Sequence, residues 1–516
     1  MRFCSFHLAV ICLGTRLASA QQIFDVWTTT EDKSQLLQYK AQDPPINFDT
    51  SAKSGAATIS VDDSSVSQII HGFGATLTDS AATTLNGLKS SNAGNYNTLL
   101  NKLFDATDAN FENAGLSYLR IPLGASDFSA SIYSYDDTEG DTSLSKFTID
   151  AAPSEVFSVV SDIMAINSAI KVHFVPWSPP GWMKDSGSMK GGSLKTEFID
   201  TYANYILKAL QGWQSKGVTA FAVSIQNEPE NGDTTYPTAT MAADLEAKVA
   251  TSLRSLLDTN GFTATKIIGY EHNWIDAANY PVQVVDNSPN VFAGASFHCY
   301  AGTVDQQGSF ISAHPNKEVY FTECAGTIGS DFWSDLKFNM DNIILGSQEH
   351  GSSSGLFWSL AGDASGGPIL PGTDSCAGAG CRPVVTVNAD GSYVLNTEFF
   401  AAAHASKATI PKDNGGPVAK RVASTVDTGL LRVGAYVTGR ANSADFLRYS
   451  LVVMNWNDAG AGTPMDTVIK FRGSQAQYTF PVGVTTLTWY AAPDGAPSRR
   501  SSTVHRRHHQ QRRRHV

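Results

Sequence analysis

The sequence predicts an α/β fold, a (β/α)8 TIM barrel with a β-sandwich side domain fused to it from both chain ends. Two observations carry this. Between residues 68 and 359, eight short β-rich apolar runs alternate with amphipathic helical stretches, the pattern of a parallel sheet wrapped by helices. Both flanks read instead as short strands with turn residues between them, which suits an antiparallel sandwich.

The eight runs are 68–78, 116–123, 171–177, 219–226, 266–270, 292–298, 318–322 and 354–359. Between them Leu245, Val249, Leu253 and Leu256 share one helical face, as do Tyr202, Tyr205, Ile206, Ala209 and Trp213, and each face must bury against the sheet. Eight such units close a barrel whose chemistry gathers at the C-terminal strand ends. Residues 418–491 hold the runs 430–437, 449–455, 467–471 and 485–490. Residues 23–61 look similar but are short, so the economical arrangement joins them to the C-terminal sheet. The expected organisation is a signal peptide at 1–20, sandwich at 21–66, catalytic barrel at 67–409, sandwich again at 410–494, and a basic tail at 495–516. The tail has no apolar pattern and is expected to be disordered.

With 516 residues, 42% of them hydrophobic and 16% charged, the chain has ample material for a core. Arg2, the apolar stretch 6–13 and Ala18-Ser19-Ala20 form a secretory signal pattern, so the mature chain is expected to start at Gln21 outside the cell. No later segment approaches 18 apolar residues, so no membrane span is expected. Setting aside Arg2, Arg16 and the seven Arg beyond Gly495 leaves 28 basic against 48 acidic residues, a net charge of about −20. So acidic a body disfavours nucleic acid or anionic lipid and favours a neutral ligand. Cys4 and Cys12 leave with the signal. Cys376 and Cys381, around Ala-Gly-Ala-Gly, are expected to form a disulfide. Cys299 and Cys324 can pair or remain buried thiols. There is no Asn-x-Ser/Thr sequon. The tail reads as a tolerated or trimmed extension rather than an anchor to acidic wall polymers.

The strand ends are unusually polar and aromatic. Arg120 and Asp127 follow the second run, Trp177-Ser-Pro-Pro-Gly-Trp182 the third, and Gln226-Asn227-Glu228-Pro229 the fourth. Glu271, His272 and Trp274 follow the fifth, His298 and Tyr300 the sixth, Glu323 the seventh, and Trp358 the eighth. Carboxylates beside aromatic plates point to sugar. Glycosidic cleavage needs one carboxyl to protonate the leaving oxygen and a second to attack the anomeric carbon or activate water; Glu228 and Glu323, after strands four and seven, can face each other across the barrel mouth. A single strand-end carboxylate is more often a cap or an ion-pair partner, so the joint pattern carries the weight. Taken alone, Trp177 and Trp358 read equally as core, and His298 as a structural histidine. Gly351-Ser-Ser-Ser-Gly355 precedes a strand rather than forming a nucleophile elbow. His71-Gly-Phe-Gly lacks the third glycine of a dinucleotide fingerprint, and no His-Glu-x-x-His occurs. No cofactor and no metal are expected.

A set of motifs in order sharpens this: His71-Gly-Phe-Gly-Ala-Thr-Leu-Thr-Asp79, Tyr118-Leu-Arg-Ile-Pro-Leu-Gly124, Ser126-Asp-Phe-Ser129, Tyr133-Ser-Tyr-Asp-Asp-Thr138, Pro176-Trp-Ser-Pro-Pro-Gly-Trp182, Gln226-Asn-Glu-Pro229, Phe297-His-Cys-Tyr300 and Phe321-Thr-Glu-Cys324. Through them the chain resembles the retaining glycosidases of glycoside hydrolase family 30. The resemblance implies Glu228 as general acid/base and Glu323 as nucleophile. It implies that Arg120 stabilises ionised Glu323, that Asn227 binds the sugar 2-hydroxyl, that Tyr300 holds Glu323, and that Asp127, Trp177, His298 and Trp358 line the glucose subsite. The stretch 133–138 points to the branch of glucosylceramidase-like enzymes and fungal endo-β-1,6-glucanases. The implied protein is a secreted, monomeric, retaining endo-β-1,6-glucanase acting on fungal wall polysaccharide. A β-glucosidase or glucosylceramidase, a xylan-directed member and a non-catalytic carbohydrate-binding protein are the alternatives.

Overall fold

The computed structural model describes residues 21–107, 111–376, 378–459 and 462–493; the expected signal peptide and basic tail lie outside the described residues. Eight parallel strands form the barrel: Gly72–Thr76, Tyr118–Pro122, Lys171–Val175, Ala220–Ser224, Lys266–Asn273, Phe292–His298, Glu318–Glu323 and Ser354–Phe357. Neighbours in sequence pair in order, and the first strand pairs with the eighth. A parallel bridge between Val319 and Ser352 closes the ring between the seventh and eighth. Gly74 lacks a side chain for a local reason: a Cβ there would lie 1.8 Å from the Tyr118 carbonyl oxygen of the adjoining strand. The glycines of 71–74 therefore serve strand packing, not a phosphate.

Helices cover the barrel as the apolar periodicity requires. Ile199–Ser215 buries Tyr202, Tyr205, Ile206, Ala209 and Trp213. Ala243–Thr259 buries Leu245, Val249 and Leu253, with Leu257 taking the innermost place expected for Leu256. The helix Asp79–Ser91 starts at Thr78, whose hydroxyl accepts from Ala81 N, satisfying one of the free N–H groups of the first turn.

Both flanks enter one nine-stranded sheet. Its spatial order is Gln38–Asn47, Gln22–Thr30, Gly483–Ala491, Leu447–Asn455, Leu431–Thr438, Ala419–Val426, Ala57–Ile69, Met465–Phe471 and Ser474–Phe480. An antiparallel bridge between Asp49 and Gln475 draws the two ends together around a core that includes Ile23, Ile59, Leu451, Leu487 and Trp489. Two details differ from the sequence expectation. Ala57–Ile69 and Met465–Phe471 pair in parallel, so the sheet is mixed. Gln68 and Ile69 also belong to this sheet, and the first barrel strand begins only at Gly72.

The helix Thr397–Thr409 is buried along its whole length and joins sheet to barrel. Its His404 bridges the hydroxyls of Thr29 and Thr486 at 2.9 Å each. Burial pushes that imidazole down to about 3, so it acts as a neutral spacer between the two units.

Candidate active site

Arg120 is the centre from which the site is built. It leaves the second barrel strand pointing into the mouth and is 0% exposed. Burying a guanidinium is costly unless it is paired, and here carboxylates converge on its two terminal nitrogens, while Nε has no hydrogen-bond partner. Nη1 donates to Glu323 Oε2 at 2.5 Å, and Nη2 donates to Asn227 Oδ1 at 2.5 Å and Glu271 Oε2 at 2.9 Å. Its plane lies 4.8 Å from the Trp177 ring centroid, a cation–π contact that fixes its tilt.

Glu271 is the residue whose importance the sequence understates. The fifth strand runs past 270 to Asn273 through a register shift, with Tyr270 at φ 76° and Glu271 at φ 52°. Such a bulge re-aims a side chain, and here it turns Glu271 inward. The carboxylate accepts from Arg120, Ser224 Oγ (2.8 Å) and Thr322 Oγ1 (2.9 Å), and lies 3.3 Å from both His298 Nε2 and His173 Nε2. Burial opposes its charge, but the Arg120 guanidinium, His173 and His298 together outweigh burial and hold it well below the usual carboxylate range.

Glu323 ends the seventh strand. Arg120 binds one of its oxygens and the Tyr300 hydroxyl donates to the other at 3.0 Å. Tyr300 is 46% exposed, so it forms an open wall of the site while its hydroxyl reaches inward. Glu228 follows the fourth strand at φ 46°, a left-handed backbone that a glutamate adopts only under constraint. Its N–H donates to the Glu271 carbonyl at 3.0 Å. Its Oε1 lies 3.2 Å from His298 Nδ1, and its Oε2 accepts from Asn231 Nδ2 at 2.9 Å. Burial would raise Glu228, but the nearby His272 ring, 3.8 Å away, and the contact with His298 hold it far below its usual range. His298 is lifted to about 9: burial opposes this, and the charge of Glu323 followed by contacts with Glu228 and Glu271 overcomes it. The pair thus shares one proton, resting on the imidazole.

Trp177 and Trp358 face each other at 5.3 Å between ring centroids, with Phe128 edge-on to Trp358 at 5.0 Å. Both indoles are buried in this cluster, which Tyr236 and the Cys376–Cys381 pair flank. The core and site readings therefore meet in the same residues. Asp127 is 5% exposed and accepts from Ser375 Oγ at 2.5 Å. Burial pushes its carboxyl up to about 7, aided by the charges of Glu323 and Glu228. Asp79, Ser129 and Tyr133, from three separate motifs, also meet: both hydroxyls donate to Asp79 Oδ2, at 2.6 and 2.9 Å.

All nine expected site residues thus lie in one mouth. Cys376 pairs with Cys381, and Cys299 with Cys324 across adjacent strand ends. Sequence reasoning passed over Glu271, His272, Asn231, Tyr236 and Ser375 as site residues; the first two stand at a strand end, whereas the other three sit in loops without a distinguishing pattern. Glu228, His272 and His298 also bring one donor atom each within 4.8 Å of one another, a spacing a cation could use. No helix among the described residues is long and apolar enough to cross a membrane.

A family model described as the glycosyl hydrolase family 30 TIM-barrel domain matches residues 70–342. An endo-1,6-beta-D-glucanase of Neurospora crassa is 32% identical over 402 residues, covering 74% of this chain and 78% of that one. Another from Aspergillus fumigatus is 31% identical, covering 68% and 72%. A solved endo-beta-1,6-glucanase superposes with a TM-score of 0.78 at 26% identity, covering 91% of this chain and all of that one.

Proposed function

The chain belongs to glycosyl hydrolase family 30, and from that premise we propose that it is a secreted, retaining endo-β-1,6-glucanase. It cleaves internal bonds of β-1,6-glucan by double displacement, as a monomer, once the N-terminal leader is removed. The observation that carries the mechanism is the convergence on Arg120, whose guanidinium holds Glu323 directly and Glu228 through the neighbouring Asn227. The names of the relatives from Neurospora crassa and Aspergillus fumigatus support the linkage.

In this reading Glu323 attacks the anomeric carbon with its carboxylate fixed by Arg120 and Tyr300. Asn227 Oδ1 is occupied by Arg120, so its amide Nδ2 is the group left for the sugar 2-hydroxyl, a contact that strengthens in the transition state. As Glu323 bonds to the sugar its charge disappears, and with it the main attraction holding the proton on His298. That proton crosses the 3.2 Å contact to Glu228, which delivers it to the departing O6. In the second half-reaction Glu228 takes a proton from water as the water oxygen bonds to the anomeric carbon and the Glu323–sugar bond breaks. The β-configured end is released, and the proton passes from Glu228 back to His298. Asp127 holds the sugar from the side, and Trp177 and Trp358 form the apolar wall behind it.

The test is incubation of the secreted protein with β-1,6-glucan, glucosylceramide, xylan and an aryl β-glucoside, followed by sizing of the products. Gluco-oligomers from β-1,6-glucan are expected. Release of glucose alone, or activity confined to the ceramide or the xylan, overturns the endo-β-1,6 reading. The ceramide is the stronger rival, because Caenorhabditis elegans relatives named putative glucosylceramidases are 25% to 29% identical.

A further inference from the structure

We propose that Ser375, next to the Cys376–Cys381 disulfide, is a positioning residue that sets which oxygen of Asp127 faces the sugar. The inference rests on the glycosidase reading of the site. The two carboxyl oxygens of Asp127 are not equivalent. Oδ2 accepts from Ser375 Oγ at 2.5 Å, whereas Oδ1 is buried with no hydrogen-bond partner. An unpaired buried oxygen is costly, and a hydroxyl-rich ligand would supply the partner.

The loop that brings Ser375 here is anchored on several sides. Leu370 N donates to the Asp127 carbonyl at 2.7 Å, so the loop grips the backbone of the residue it orients. Thr235 Oγ1 donates to Asp374 Oδ1 at 2.9 Å and accepts from Asp374 N at 3.2 Å, which ties the loop to the segment carrying Tyr236. Cys381 and Arg382 pair with Gly326 and Thr327, just beyond Glu323. The disulfide itself packs on the Trp177–Trp358 cluster. One short segment thus connects the ends of the second, fourth and seventh strands, and Ser375 is its contact with the site.

The charge around Asp127 decides which form Ser375 selects. Glu323 and Glu228 oppose a third negative charge; Tyr236 and Tyr300 face the same space, and Arg120 is committed to Glu271 and Glu323. Burial and these carboxylates lift Asp127 to about 7, and the Ser375 bond works against that rise. Below pH 7 the carboxyl keeps its proton. With Oδ2 occupied as an acceptor of Ser375, the proton resides on Oδ1 and is offered to a sugar oxygen.

Ser375→Ala is expected to lower kcat/KM on β-1,6-glucan about 10-fold, mostly through KM, as the loss of one aligned hydrogen bond to the sugar implies. The alkaline limb near pH 7 should move to higher pH, and Ser375→Thr should restore both properties. Joint Cys376→Ser and Cys381→Ser replacement should act in the same direction by loosening the loop. Difference infrared titration of the Asp127 carboxyl, assigned with Asp127→Asn, follows the same shift without substrate. An unchanged pH profile and infrared titration in Ser375→Ala overturns the proposal, as does a Thr variant no better than Ala. If the wild type leaves β-1,6-glucan intact, the substrate reading fails while the infrared titration still decides the role of Ser375.

Discussion

Glu246→Gln should make the protein more stable relative to wild type as pH rises, with little effect on activity. Glu246 lies on the helix Ala243–Thr259, fully buried, and its Oε1 accepts from Tyr270 N at 3.0 Å, on the bulge that turns Glu271 inward. Burial pushes its carboxyl from 4.5 up to about 7, against the Tyr270 hydrogen bond. An acid whose folded value is raised contributes fully below its unfolded value, and that contribution is lost as pH rises through the folded one. The rise from 4.5 to about 7, at about 1.4 kcal/mol per pH unit, implies a wild-type penalty of roughly 3–4 kcal/mol at high pH. At pH 5 about 1 kcal/mol of it is already present, so roughly 2–3 kcal/mol develops between pH 5 and pH 8. Glutamine retains the acceptor for Tyr270 and has no charge to lose. The assay is urea unfolding of wild type and variant side by side at pH 5, 6, 7 and 8, in which every other titrating group cancels. A difference that stays constant across this range, or that moves in favour of wild type, refutes the reasoning.

Glu323→Gln should abolish turnover in a protein that still folds, with a lowered melting temperature because the buried Arg120 keeps only Glu271 as a carboxylate partner, read by reducing-end release and calorimetry. Glu228→Gln should cost roughly 10²–10⁴-fold on β-1,6-glucan yet keep a first-turnover burst with an acidic aryl glucoside, and proton NMR of the first wild-type products should show the β-anomer. Glu271→Gln should destabilise by about 3–5 kcal/mol, because it leaves the buried Arg120 short of a carboxylate; denaturant titration measures this. Lys184→Met should cost about 1–3 kcal/mol and open the segment after the third strand to limited proteolysis, since Lys184 Nζ joins Ser178, Met189 and Thr238 at 2.9, 3.0 and 2.5 Å.

The barrel was legible because each of its strands is a short apolar run that ends in a polar or aromatic group. Its mouth was legible because groups such as Arg120, Glu228 and Glu323 are too costly to bury without a purpose. What stayed hidden has local causes. The strand Ser474–Phe480 is mostly polar, and only Ala476 and Phe480 are fully buried, so it shows no apolar run. Gln38–Asn47 carries Pro44 and Pro45, which read as a loop and are tolerated because the strand lies at an edge. The bulge at Tyr270 and Glu271 needs positive φ at two residues that give no sign of it in sequence. Ser375 and Thr235 take their roles from loop contacts across 248 and 139 positions of chain, which periodicity cannot report.

The charge count of the mouth explains why these pieces belong together. Arg120 and the proton on His298 supply two positive charges, while Glu228, Glu271 and Glu323 bring three negative ones. One uncompensated negative charge suits a nucleophile that must attack a carbon gaining positive character. A fourth carboxylate in the same low-dielectric space would add a second unpaired charge, and Asp127 avoids this by remaining protonated up to about pH 7. Two titrations therefore bound the working range on its alkaline side. Asp127 ionises first and repels Glu323; His298 then gives up its proton near 9, leaving Glu228 without its proton donor. Activity should accordingly fall in two steps above neutrality. Asp127→Asn should remove the first step at some cost in affinity, because the amide cannot ionise, and leave the second in place.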